Sequence, residues 1–139
     1  MTDENLCITG GCLCGTIRYE STKAPHRAGY CHCTMCQKGL GNLFGTFVSF
    51  RTANFRFLAD KPTWYACDDK IERGFCGTCG SPIGWQSPDT DYLIIWYGTL
   101  DDRETYIPEA HLWADTKLSW VDIQSHLPHE YGNCDEFSK

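Results

Sequence analysis

Seven of the ten cysteines in this 139-residue sequence fall into three short clusters, and their spacing restricts the fold more than any other feature. The clusters are Cys12-x-Cys14, Cys31-x-Cys33-x-x-Cys36 and Cys76-x-x-Cys79. Four thiolates close a tetrahedral zinc site, whereas three leave a fourth position open to water or a substrate. The clusters divide naturally into four and three.

Size and composition fit a single domain spanning 1–139, large enough to fold around its own core. A hydrophobic content of 42% argues against a disordered chain. The longest apolar run, Leu93 to Tyr97, is far shorter than a membrane span and suits a buried strand. The segment Met1-Thr-Asp-Glu-Asn-Leu6 lacks the basic and apolar stretches of a signal peptide. These features lead us to expect a cytoplasmic protein, where clustered cysteines bind metal rather than oxidise to disulfides. Net charge is −6, and filling both clusters with Zn²⁺-bound thiolates would take it to about −9. Such a surface repels a phosphate backbone, so no nucleic-acid partner is expected, and no membrane either.

The pattern between the clusters is one of short strands broken by turns. Thr16–Glu20, Gly45–Phe50 and Asn54–Leu58 alternate in the manner of half-buried strands, and Tyr92–Tyr97 reads as a central strand buried on both faces. Helix is expected only as one turn after Cys33 and as a short piece near Val121–Ser125. The fold class is therefore mainly β. Gly10, Gly11 and Gly15 bracket the first cluster, and Gly77 and Gly80 interrupt and follow the last. Glycines here serve turns that need φ > 0 and that aim backbone N–H groups at sulfur.

A Cys-x-Cys at a strand end and a Cys-x-x-Cys on a turn can each give two ligands to one ion. Cys12, Cys14, Cys76 and Cys79 are the expected ligands of a structural zinc that clips distant parts of the chain together. Cys31, Cys33 and Cys36 are left as three ligands of a second, open zinc. Two other readings stand beside this one. His32 could close the site, although in an extended segment it points away from its neighbours. Alternatively, a distant cysteine, Cys67 or Cys134, could complete an iron–sulfur cluster. Cys7, Cys67 and Cys134 otherwise read as ordinary thiols.

The order Gly-Gly-Cys-x-Cys-Gly-x-x-x-Tyr-Glu, then Cys-His-Cys-x-x-Cys, then Phe-Cys-x-x-Cys-Gly resembles the glutathione-dependent formaldehyde-activating enzyme family, shared with centromere protein V. Gly98-Thr-Leu-Asp-Asp102, Pro108-Glu-Ala-His111 and Ser119-Trp120 extend the resemblance over roughly residues 7–130. It implies a β-tent of short antiparallel strands with little helix, a structural zinc and a second, more labile zinc. Cys12, Cys14, Cys76 and Cys79 match the family's structural ligands, and Cys31, Cys33 and Cys36 its second site. One departure is visible: where the family reads Cys-x-x-x-Ser-Gly, this chain has Cys36-Gln-Lys-Gly-Leu40-Gly41.

An open zinc position can take a thiolate, lower a bound thiol's pKa or polarise a carbonyl. Each fits chemistry at a carbon–sulfur bond. The expected function is that of a carbon–sulfur lyase or thiol-adduct-forming enzyme, with glutathione or a similar thiol and a small aldehyde such as formaldehyde as substrates. The competing function is a non-catalytic binding or scaffold domain with two structural zincs. Among helper residues, Lys38 could pair with a substrate carboxylate or simply aid solubility, and His111 could shuttle protons or be a hydrogen-bonded structural histidine. Trp113 and Trp120 could wall a pocket or fill the core. Asp101 and Asp102 suit turn chemistry, Arg73 suits balancing of thiolate charge, and His126 with His129 could form an adventitious metal pair.

Overall fold

The computed structural model describes residues 6–132. Among the described residues, ten strands form two sheets, and the strand pairing is antiparallel apart from one pair. The smaller sheet runs in the order β1-β2-β5, from Ile8–Gly11 (β1), Arg18–Ser21 (β2) and Phe55–Phe57 (β5). The larger has seven strands in the order β10-β3-β4-β9-β8-β7-β6. Its members are Arg27–Cys31 (β3), Gly45–Arg51 (β4), Thr63–Ala66 (β6), Glu72–Phe75 (β7), Pro82–Gln86 (β8), Tyr92–Trp96 (β9) and His111–Leu112 (β10). Only β10 pairs parallel, against β3. The one α-helix among the described residues, α1, spans Thr34–Leu40. It is longer than the single turn expected after Cys33.

β9 lies at the centre of the large sheet and all five of its residues are buried. Alternation along it serves two cores. Leu93 and Ile95 face Ile8 and Tyr19 of the smaller sheet and Ile17 just before β2, together with Val48 and Phe50 of β4. Ile94 and Trp96 face the other way, joining Phe47, Leu112, Cys31 and Cys36. Period-two side-chain geometry thus lets one strand close both cores, which explains its unbroken apolar sequence. The two cysteine groups divide between the same two cores, with Cys12 and Cys76 in the first and Cys31 and Cys36 in the second.

Three sequence expectations need correction. Strand β2 begins two residues later than the alternation from Thr16 suggests, because Cys12 to Ile17 forms a turn closed by backbone hydrogen bonds to Cys12. No helix forms at Val121–Ser125; Gln124 sits in the left-handed region at φ 42, which breaks helical geometry. That segment is held by tertiary contacts instead, with the Tyr30 hydroxyl donating to Gln124 Oε1 at 2.6 Å. Of the five glycines around the first cysteine group, only Gly15 and Gly80 have positive φ, while Gly10, Gly11 and Gly77 are not left-handed. A Cβ at Gly10 would stand 2.2 Å from the Tyr19 hydroxyl, so close approach is what requires glycine there.

Candidate metal centres

Cys12 and Cys14 lie in the turn after β1, and Cys76 and Cys79 in the turn joining β7 to β8. Their four sulfurs converge to within 4.8 Å of one another. The Cys12–Cys14 separation is 3.5 Å and the Cys14–Cys76 separation 3.8 Å. The edge of a tetrahedral zinc–thiolate site with bonds of about 2.3 Å is roughly 3.8 Å. The donors therefore fit a metal ion of that size. Backbone N–H groups point at the sulfurs, as ligand turns require: Ile17 at 3.2 Å from Cys12, and Thr78 and Cys79 each at 3.4 Å from Cys76.

The two turns also share a feature that sequence reasoning passed over. Cys14-Gly15-Thr16 and Cys79-Gly80-Ser81 repeat one pattern, with glycine at φ +82 and +80. The left-handed glycine turns the chain back so that the next hydroxyl meets the sulfur. Thr16 Oγ1 is 3.1 Å from Cys14, and Ser81 Oγ is 3.0 Å from Cys79. The Ser81 hydroxyl, with its backbone N–H, holds the Cys79 thiol down to about 5. The repeated Cys-Gly-Thr/Ser triplet was the available signal.

Cys31 ends β3, Cys33 caps α1 and Cys36 lies in its first turn. The Cys36 N–H donates to the Cys33 sulfur at 3.3 Å, so forming the helix also shapes the cluster. Cys31 lies 3.4 Å from Cys33 and 3.3 Å from Cys36, and the three sulfurs are mutually within 4.8 Å. Hydrogen bonds with Cys31 and Cys36 hold the Cys33 thiol down to about 3, whereas contacts with Cys33 and Cys36 push Cys31 up. Cys33 is thus the first of the three to ionise, and the only one not fully buried.

No fourth cysteine or histidine joins this cluster among the described residues. His32 does not close it, which corrects the closed-site reading. Its ring turns inward, is fully buried, and lies 2.8 Å from His111 through Nε2. His111 Nε2 faces the Gln124 carbonyl at 3.0 Å and must carry the proton there, so its Nδ1 accepts from His32. Burial lowers the His32 pKa to about 4, which keeps the ring neutral. His111 is accordingly a structural histidine. Cys67 lies in the β6–β7 hairpin outside the cluster, and Cys134 lies outside the described residues, as one of the two proposed iron–sulfur partners.

The remaining sequence candidates sort by position. Arg73 on β7 reaches the second cluster, with Nη2 3.8 Å from Cys36 Sγ and its guanidinium 5.8 Å from the Trp96 ring centre. Lys38 is exposed on α1 and lines a cavity of about 650 Å³ together with Arg73, Tyr65, Cys67, Pro82 and Trp96. Trp113 packs against the second core, but Trp120 is 68% exposed and fills neither core. Asp102 does cap a turn, accepting from Glu104 N–H and the Thr105 hydroxyl. Asp101 instead crosses to Arg18 and Thr9. His126 and His129 form no metal group; His129 stacks on His111 at 4.6 Å and bonds the Leu127 carbonyl. Leu40 is half-buried against the second core and lines a neighbouring hollow of about 580 Å³.

The glutathione-dependent formaldehyde-activating enzyme family model matches residues 7–116, which include all seven clustered cysteines. The chain belongs to that family. No curated protein matches the sequence. A crystal structure of a Rhodobacter sphaeroides protein is similar in fold, with a TM-score of 0.55 at 18% identity, covering 87% of this chain and 98% of that one. No helix among the described residues of this family member is long and apolar enough to cross a membrane.

Proposed function

We propose that this chain is a zinc-dependent enzyme of carbon–sulfur bond chemistry, joining glutathione or a similar thiol to a small aldehyde such as formaldehyde, or reversing that addition. The observation that carries the reading is the difference between the two groups: four converging thiols in one, three in the other. Cys12, Cys14, Cys76 and Cys79 would hold a structural zinc, and Cys31, Cys33 and Cys36 a second one. When bound there, zinc supplies a position for a substrate sulfur and lowers that thiol's pKa.

The chain's own residues prepare the rest. Cys33, half-buried and low in pKa, marks the side from which a substrate sulfur approaches. Arg73 beside Cys36 offsets the negative charge that three thiolates concentrate in a poorly solvated spot. Trp96 and Leu40 close the apolar side. In the reaction a sulfur–carbon bond forms, the carbonyl electron pair moves to oxygen, and the proton given up by the thiol ends on that oxygen; cleavage runs the same steps backward.

Cys33→Ser is expected to leave a folded protein with one zinc per chain and no turnover of thiol and aldehyde. Metal stoichiometry and circular dichroism read the first two outcomes. Loss of the fold in that variant would place the second zinc among the structural ones and support a scaffold role instead.

A further inference from the structure

The cavity beside the second cluster is walled by Lys38 and Arg73 and by no acidic side chain. That is notable in a chain of net charge −6. Four of the five other arginines are matched with carboxylates: Arg18 with Asp101, Arg51 with Asp91, Arg56 with Glu20 and Arg27 with Glu130. Among the described residues, neither Lys38 nor Arg73 has an acidic partner within ion-pair distance.

Arg73 is fixed rather than free. Its guanidinium lies 5.8 Å from the Trp96 ring centre and against α1, where a Cβ at Gly39 would come within 2.8 Å of Nη1. Its Nε is buried and has no hydrogen-bond partner, and its Nη2 meets only the soft sulfur of Cys36. A guanidinium carries five N–H donors in a rigid fork suited to carboxylates. Here most of that capacity is unused. With Lys38 on the same cavity wall, the local field favours an anion in a space of about 650 Å³, enough for a small peptide-sized molecule.

We propose that this cavity is an anion subsite, in which Lys38 and Arg73 hold the carboxylate of an acidic thiol while its sulfur reaches the Cys31–Cys33–Cys36 cluster. This rests on the reading that the cluster receives a substrate sulfur, and it adds what selects the thiol. An uncharged thiol would reach the cluster without being held by the cavity.

The test uses the metal-loaded protein and three probes. S-Methylglutathione keeps its carboxylates but has a blocked sulfur, its diethyl ester has neither free carboxylate nor thiol, and 2-mercaptoethanol has only the thiol. Binding is followed by calorimetry, and thiol ligation by the spectrum of cobalt-substituted protein. We expect S-methylglutathione to bind the wild type, Lys38→Glu and Arg73→Met each to weaken it about tenfold or more, and the diester to be indifferent to Lys38→Glu. Arg73→Lys should retain part of the affinity. Unchanged S-methylglutathione binding in Lys38→Glu, equal binding of the diester, or no binding to the wild type would overturn the subsite. If 2-mercaptoethanol still perturbs the cobalt spectrum in that case, thiol ligation survives and only the subsite fails. If S-methylglutathione binds as expected while no thiol perturbs the spectrum, the subsite stands and the proposed sulfur ligation falls.

Discussion

His32 shows how a residue between two candidate ligands can serve the site without touching it. Extended backbone from Cys31 to Cys33 sends alternate side chains to opposite faces, so the cysteines converge while the histidine enters the interior. There it donates to His111, which in turn donates to the Gln124 carbonyl. The chain of donors pins the strand that carries Cys31 to the C-terminal segment. His111→Leu removes an acceptor from His32 and a donor from Gln124. Each orphaned buried group costs about 1–3 kcal/mol, so urea denaturation should show a loss of at least that order. A variant as stable as the wild type would mean that water replaces the histidine. The direction of His32 followed from strand alternation, but its partner did not, because His111 is 79 residues away and only the tertiary fold brings them together.

At the scale of elements, α1 joins the second cluster to the cavity. Its N-terminus is capped by Cys33, its first turn carries Cys36, and Gly39 lets Arg73 lie against its surface. Gly39→Ala separates these roles. Alanine favours helix over glycine by up to about 1 kcal/mol, yet its Cβ would stand 2.8 Å from Arg73 Nη1. Stability is therefore expected to stay within about 1 kcal/mol of wild type, while the displaced guanidinium weakens retention of the second metal. A chelator competition on cobalt-substituted protein reads that difference; unchanged retention would show that Arg73 does not support the cluster. Elements of this kind differ in how far sequence discloses them. β4 and β9 were legible because one alternates and the other is continuously apolar. β3 was not, since Arg-Ala-Gly-Tyr-Cys has neither pattern and is buried by neighbours on both faces. The segment at Val121–Ser125 misled because Gln124 adopts a left-handed backbone for the sake of contacts with Tyr30 and His111. The seven cysteines were legible from spacing alone; the cavity was not, because α1, β6, β7 and β8 build it from single residues scattered along the sequence.

In the whole molecule the two cysteine groups sit in different cores on opposite faces of one sheet, and this predicts unequal consequences of losing metal. The first group joins turns 62 residues apart and ties the small sheet to the β7–β8 hairpin. The second spans Cys31 to Cys36 and closes no long loop. Metal at a site that constrains long chain segments contributes directly to folding, and structural zinc contributes on the order of 10–16 kcal/mol in small domains. That matches or exceeds the roughly 5–15 kcal/mol by which domains are usually stable. Cys79→Ser should therefore fail to fold, whereas Cys33→Ser should not. A graded chelator titration of the wild type should remove one metal without change in far-ultraviolet circular dichroism, then the other together with cooperative unfolding. Simultaneous loss of both metals with the fold would show that the second core, despite its short span, is as dependent on its metal as the first.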